Sequence, residues 1–296
     1  MTTAETSTRR FPPWIRKSLK TEPEFVQVNR LVSGFKLNTV CEDAKCPNRN
    51  ECWNRGTATM MILGEVCTRS CRFCSVKSGI PPSVDTDEPR RVARAAAGMQ
   101  LKHIVITSVD RDDLADGGAA IWADTIRAVA EELPGICVEV LTPDFGGDEA
   151  SMETVLQADP QIFSHNLETV SRLQPVIRPQ ANYGRSLAVL RYAAERDPDR
   201  AVKSGLMVGM GETEDEMIQA MTDLHAVGCR ILTVGQYLRP TRNHMEVVRF
   251  VEPAEFKRYE TAALEIGFNA VASGPMVRSS YRAEELFAKY QDALTG

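Results

Sequence analysis

Residues 59–75 read Thr59-Met60-Met61-Ile62-Leu63-Gly64-Glu65-Val66-Cys67-Thr68-Arg69-Ser70-Cys71-Arg72-Phe73-Cys74-Ser75. The first five form a short apolar run ended by a glycine, which reads as a strand. The loop that follows carries three cysteines spaced C-x3-C-x2-C. Thiolates packed this densely suit a soft metal better than core packing. Such a loop can wrap one face of an iron–sulfur cube and ligate three irons, whereas a cube needs four protein ligands. The fourth iron is then open, and an open metal position marks a catalytic rather than a structural site. The bland alternative is half of a zinc site whose fourth ligand is distant.

Downstream of this loop, apolar runs alternate with amphipathic stretches. Further strands are expected at 103–107, 136–140, 161–164, 202–208 and 230–234, and helices at 88–99, 119–133, 149–158, 183–195 and 214–227. Pro134-Gly135 and Gly228 close two of those helices. Strand–helix units with short connections imply a parallel sheet with right-handed crossovers. The expected fold class is α/β, a partial open (β/α)6 TIM-like barrel. Residues 1–56 form an N-terminal cysteine-bearing extension, 57–253 the barrel and 254–296 a C-terminal helical extension, all in one compact domain. The tail reads as a helix at 254–266, an apolar run at 268–271, the turn Ser273-Gly274-Pro275 and a last helix after Arg278-Ser279-Ser280-Tyr281. Reactive groups gather at the C-terminal ends of strands in such sheets.

A second triplet, Cys41, Cys46 and Cys52, is spaced C-x4-C-x5-C and lies upstream of the first strand. It too lacks one ligand for a cube. From its chemistry alone it is a second substrate-binding cluster, a reductant relay or a structural zinc site. The remaining cysteines, Cys137 and Cys229, lie in or beside expected strands and read as small core hydrophobes.

The loop with Cys67, Cys71 and Cys74, and the aromatic Phe73 before the third cysteine, resembles the radical S-adenosylmethionine superfamily. In that superfamily the open iron is chelated by S-adenosylmethionine. Reductive cleavage of the cofactor then yields a 5′-deoxyadenosyl radical that abstracts hydrogen from an unactivated carbon. C-x4-C-x5-C, fourteen residues, then C-x3-C-x2-C, with Arg278-Ser279-Ser280-Tyr281 near the end, is more narrowly similar to the lipoyl synthases. The similarity extends through 38–53, 107–118, 164–170, 205–212 and 235–252, nearly the whole chain beyond the N-terminal arm.

That resemblance implies two 4Fe-4S clusters and S-adenosyl-L-methionine as cofactors. It implies that Cys41, Cys46 and Cys52 hold the auxiliary cluster with a serine, carried here to Ser280, with Ser279 as the other choice. By residue chemistry alone, Ser280 reads as the N-cap of the last helix. A hard oxygen among soft thiolates is the weakest link of such a site. The implied reaction inserts sulfur at carbons 6 and 8 of an octanoyl chain amide-linked to a carrier lysine, with the auxiliary cluster as donor. The implied partners are octanoylated lipoyl carrier domains (the glycine-cleavage carrier protein or a 2-oxoacid dehydrogenase acyltransferase), a ferredoxin or flavodoxin reductant, and an iron–sulfur cluster carrier.

Related enzymes bind the cofactor after the second strand, which points to Thr107, Ser108, Asp110 and Asp112, against a plain polar turn with aspartate capping. Asn166 and Glu168 follow the fourth strand and are candidates for ribose or methionine contact, while His165 reads as a packed histidine. Arg178 is placed to pair with the cofactor carboxylate. Lys203 points from the fifth strand, where a charge needs a partner or a wet cavity. Gln236 and Leu238, after the sixth strand, frame the adenine.

The bulk numbers agree with this class. The chain has 296 residues, 43% apolar and 25% charged, as in a globular protein. A net charge of −5 gives no reason to expect nucleic-acid binding. No apolar run is long enough for a membrane span, and 1–20 lack a signal-peptide core, so a cytoplasmic enzyme without disulfides is expected. The basic residues Arg9, Arg10, Arg16, Lys17 and Lys20 read as a solvated arm. Lys45, Arg49, Arg55 and that arm are candidates to face an acidic carrier. Two other classes compete. A two-cube ferredoxin-like carrier leaves most of the chain without a role, and a zinc-stabilised binding module would carry zinc without sulfide.

Overall fold

The computed structural model describes residues 11–15 and 20–295. Arg9, Arg10, Arg16 and Lys17 of the expected arm lie outside them. The chain opens with α1 (Pro23–Gly34), the two-residue β1 (Asn38–Thr39), α2 (Val40–Asp43) and α3 (Arg49–Asn54). Then come β2 (Thr59–Ile62), a small ribbon of β3 (Val66–Cys67) and β4 (Lys77–Ser78), α4 (Glu88–Gly98), β5 (His103–Ser108) and α5 (Ala119–Glu132). Next are β6 (Cys137–Leu141), α6 (Glu149–Leu156), β7 (Ile162–Ser164), α7 (Gln174–Ile177) and α8 (Tyr183–Arg196). The chain closes with β8 (Ala201–Val208), α9 (Glu214–Ala226), β9 (Ile231–Gln236), α10 (Pro253–Ile266), β10 (Ala270–Gly274) and α11 (Ala283–Thr295).

The strands form one sheet in the order β1-β2-β5-β6-β7-β8-β9-β10, parallel from β2 to β10, with β1 antiparallel at the edge. β10 and β1 are the two ends of this order, so the barrel is open along one seam. The six expected strands and their helices are present within one or two residues of their expected ends. The difference is at the tail. The run at 268–271 enters the sheet beside β9 as a seventh parallel strand, followed by α11. Ser273 and Gly274, expected to turn with Pro275, are instead its last two residues and pair with Val234 and Gly235, which is why it is disguised.

Burial explains the strand sequences. Parallel strands covered on both faces read as continuous apolar runs, and β2 and β9 are buried at every position. Helix ends are set by local chemistry. Thr213 and Glu216 form a reciprocal capping box at the start of α9. Gly267 adopts a left-handed φ of 118° at the end of α10. One core cluster runs from Val28 in α1 to Val271 in β10, including Trp53 and Trp122. No helix among the described residues is long and apolar enough to cross a membrane.

The barrel interior also holds a buried charge network. Lys203 Nζ of β8 donates to Glu139 Oε1 of β6 at 2.6 Å, and His103 Nε2 of β5 lies 3.3 Å from Glu139 Oε2. The Lys203 and Glu139 side chains are each 1% exposed. Burial works against the Glu139 charge, but Lys203 and His103 outweigh it and hold its pKa below the usual range. Removing one partner of such a pair strands the other charge, at about 3–5 kcal/mol. Lys203→Met should therefore lower the thermal midpoint strongly, and Lys203→Met combined with Glu139→Leu should recover most of the loss. Equal midpoints for the single and double variants would contradict this.

Candidate active site

A cavity of about 540 Å³ runs through the open barrel. Cys67, Cys71 and Cys74 line it beyond the C-terminal end of β2, and Cys46, Thr59 and Ser280 line it toward the N-terminal end of that strand. At about 3.3 Å per residue, β2 separates the two groups by roughly 10 Å of strand. The sequence placed the second triplet at the barrel mouth, and the fold adds that the first lies at the opposite end of the same strand.

The loop carrying the second triplet is tied down by its backbone. Thr68 N donates to Asp110 O (3.0 Å), Arg72 N to Ile177 O (2.8 Å), Met245 N to Arg72 O (3.1 Å) and Gly79 N to Cys67 O (2.9 Å). Its decisive side chain is Arg69, which sequence reasoning missed. The guanidinium is 5% exposed and forks onto Asp112 (2.6–3.2 Å), with Asp144 at 2.7 Å and Asp110 at 3.2 Å. Asp144 is fully buried and also takes Arg185 Nε at 2.8 Å. Although burial opposes its charge, Arg69 and Arg185 hold Asp144 well below the usual carboxylate range. A basic residue between Cys67 and Cys71 was the available signal.

The sulfurs sit among donors that suit thiolates. Arg69 N and Asp110 N both donate to Cys67 Sγ, at 3.4 and 3.3 Å. Cys41 lies behind the cavity wall, against the Thr59 backbone N–H and the indole of Trp53. The Trp53 Nε1 is buried and has no oxygen or nitrogen acceptor. All eight cysteines are free. Burial, and after it the neighbouring cysteines for Cys41, Cys52 and Cys74 and Asp110 for Cys67, push Cys41 up to about 11, Cys52 to about 12, Cys67 to about 11 and Cys74 to about 12. Thiols with N–H donors close by, as at Cys67 and Cys41, fit iron–sulfur ligation, because a metal removes the penalty on the thiolate. Among the described residues no three such side chains converge on a single ion. A cube does not require that, since it spreads its thiolates over separate irons.

The two serines are distinguished by their partners. Thr59 Oγ1 donates to Ser280 Oγ at 2.8 Å, and Thr59 is also the neighbour of Cys41. Ser279 Oγ instead accepts from Asn166 Nδ2 at 2.6 Å, across the cavity. Arg278 is half-buried beside Cys46.

Phe73, Thr107, Asp110, Asn166, Glu168, Arg178, Gln236 and Leu238 all line the cavity, as does Cys46 of the first triplet. Three expected cofactor contacts do not. Lys203 is committed to Glu139, Asp112 to Arg69 and Thr68, and the Ser108 hydroxyl is buried outside the lining. A charge on a strand read as cavity-facing because its partner lies two strands away. Gln236 lines the cavity, yet its amide clamps the backbone of Val208, Arg249 and Val251. Arg178 Nη1 holds Asn166 O and Leu167 O, while its buried Nε has no partner. Of the cations expected to face a carrier, Arg49 pairs with Glu42 and lies over Phe25 and Trp53, and Arg55 pairs with Glu285. Lys45 lines the cavity.

Comparison with known proteins matches this arrangement. The radical SAM superfamily profile covers residues 61–224. The chain is 56% identical over 274 residues to the lipoyl synthase of Rubrobacter xylanophilus, covering 93% of this chain and 85% of that one. It is 53% identical over 281 residues to the lipoyl synthase of Thermus thermophilus, covering 94% and 87%. The chain belongs to the lipoyl synthase family. It is a sulfur-inserting radical S-adenosylmethionine enzyme whose cofactors are S-adenosylmethionine and two 4Fe-4S clusters. The FeFe-hydrogenase maturase HydG from Carboxydothermus hydrogenoformans shares the fold at a TM-score of 0.60 and 15% identity, over 79% of this chain and 56% of that one. Methylornithine synthase does so at 0.52 and 14%, over 86% and 80%.

His165, expected to be packed, is packed. Its Nδ1 donates to Thr142 O at 2.9 Å and its Nε2 accepts from Ser186 Oγ at 3.0 Å. Burial, aided by Arg178, lowers its pKa to about 4. The unfolded histidine titrates near 6.5 and so binds more protons between these values. Its contribution to stability is full above about pH 6.5 and is lost as pH falls toward 4. The unfolding free-energy gap between the native enzyme and His165→Gln should narrow by about 2 kcal/mol from pH 7 to pH 5. A constant gap in urea titrations would contradict the neutral assignment.

Proposed function

We propose that the enzyme inserts sulfur at carbons 6 and 8 of an octanoyl chain held in amide linkage on a lysine of a lipoyl carrier domain. In this reading Cys67, Cys71 and Cys74 hold one 4Fe-4S cluster, which leaves one iron for S-adenosylmethionine. Cys41, Cys46, Cys52 and Ser280 hold the other. When bound, these groups supply an electron, a hydrogen-abstracting radical and the inserted sulfur. The observation that carries the reading is the single cavity, with the second triplet at one end of β2 and Cys46 and Ser280 at the other. A linear chain lying between those ends can present neighbouring carbons to both.

The residues of this chain then divide the work. Asp110 offers a carboxylate to the cofactor amine, since Arg69 takes only part of its acceptor capacity. Arg178 offers its unpartnered Nε to the cofactor carboxylate, and Asn166 its unpartnered Oδ1 to a hydroxyl or ammonium. Glu168 and Thr107 stand beside them. Phe73 and Leu238 supply apolar wall that excludes water from the reacting carbon. Gln236 acts by fixing the wall's backbone. Lys203 and Ser108 have no cofactor role in this reading.

The finer assignments rest on the family. The carrier is the glycine-cleavage carrier protein or a 2-oxoacid dehydrogenase acyltransferase, the reductant a ferredoxin or flavodoxin, and the place of action the cytoplasm. An iron–sulfur carrier rebuilds the auxiliary cluster. Residues 1–56, 57–253 and 254–296 act as one unit. Support for that last point is the shared core, which spans α1, the barrel and β10.

The test is an anaerobic assay of reconstituted enzyme with dithionite, S-adenosylmethionine and an octanoyl-lysine peptide. Native enzyme should yield 5′-deoxyadenosine and a peptide that gains sulfur. Cys46→Ala and Cys52→Ala should still form 5′-deoxyadenosine but leave the peptide mass unchanged. Sulfur insertion by either variant would overturn the assignment of the first triplet.

A further inference from the structure

The adjacent hydroxyls of Ser279 and Ser280 point to opposite walls. Ser280 Oγ is held by Thr59 at the start of β2, and Ser279 Oγ by Asn166 just after β7. The pair therefore bridges the cavity from its first-triplet end to its proposed cofactor end.

Asn166 is 9% exposed and its amide is only half satisfied. Its Nδ2 donates to Ser279 Oγ and to Glu168 Oε1 (3.0 Å), while Oδ1 is buried without a partner. That oxygen borders a point kept open by Gly205. A Cβ there would lie 2.8 Å from Asn166 Oδ1, 2.8 Å from Thr233 Oγ1 and 3.1 Å from Ser279 Oγ. Three polar atoms thus converge where the strand carries no side chain.

An amide group is a rigid plane, so turning Oδ1 toward a bound donor swings Nδ2 with it. Nδ2 is the atom that anchors Ser279, one peptide from Ser280. We propose that Ser279 is a positioning residue that couples occupancy of the cofactor pocket at Asn166 to the placement of Ser280. This rests on the ligand role of Ser280 and the cofactor contact of Asn166 given above. Coupling between two sites is reciprocal in free energy. Whatever cofactor binding does to Ser280, the state of Ser280 does to cofactor affinity.

A double-mutant cycle on cofactor binding tests it. S-adenosylmethionine affinity is measured by equilibrium dialysis on anaerobically reconstituted enzyme without reductant, for native, Ser280→Ala, Ser279→Ala and the double variant. Ser280→Ala should shift the Kd about fivefold or more. In the Ser279→Ala background the same change should shift it little, and Ser279→Thr, which keeps the hydroxyl, should restore the shift. Equal shifts in both backgrounds, or no shift from Ser280→Ala, would overturn the coupling. Mössbauer spectra of the same samples separate failure of the underlying reading. A Ser280→Ala spectrum identical to native would remove the ligand role itself, and the coupling with it. An altered spectrum with equal Kd shifts would remove only the coupling.

Discussion

One guanidinium governs the site. Arg69 is inserted between Cys67 and Cys71 and buried under Asp110, Asp112 and Asp144. These carboxylates come from the loops after β5 and β6, so a single side chain fixes the cysteine loop against two neighbouring strand ends. The same contact shapes the charge. Burial pushes the Asp110 pKa up while Arg69, and after it Arg178, pull it down, so the arginine that ties the loop also helps to keep a carboxylate charged on the cavity wall.

Most of the architecture could be read from the chain because parallel strands buried on both faces announce themselves as apolar runs. Residues 103–108 and 231–236 need no context to be recognised. The tail strand was hidden because two of its five residues, Ser273 and Gly274, stand before Pro275 and read as a turn. For the proposed site, the short spacing of Cys67, Cys71 and Cys74 was enough to suggest one loop around one cluster, since that pattern is local. Ser280 needed the family resemblance, because its relation to Cys41 passes through Thr59, more than two hundred residues upstream. Arg69 and Lys203 illustrate the limit from opposite sides. The acids of Arg69 lie 43 and 75 residues downstream, so its role was invisible. Lys203 looked like a site residue because barrel curvature, which no local pattern encodes, brings Glu139 across to it.

The two ends of the sheet give the seam a property of its own. Edge strands invite pairing with other chains. Here β1 is only two residues long, and β10 is followed directly by Pro275. The segments are joined by side-chain bonds rather than a ladder: Asn48 Nδ2 to Met276 O, Thr59 to Ser280, and Tyr281 and Arg282 to Glu51. Parting them breaks no strand–strand hydrogen bond. The closure of the barrel therefore depends on the identity of a few side chains, whereas the contacts within the sheet are made by backbone groups that any residue supplies.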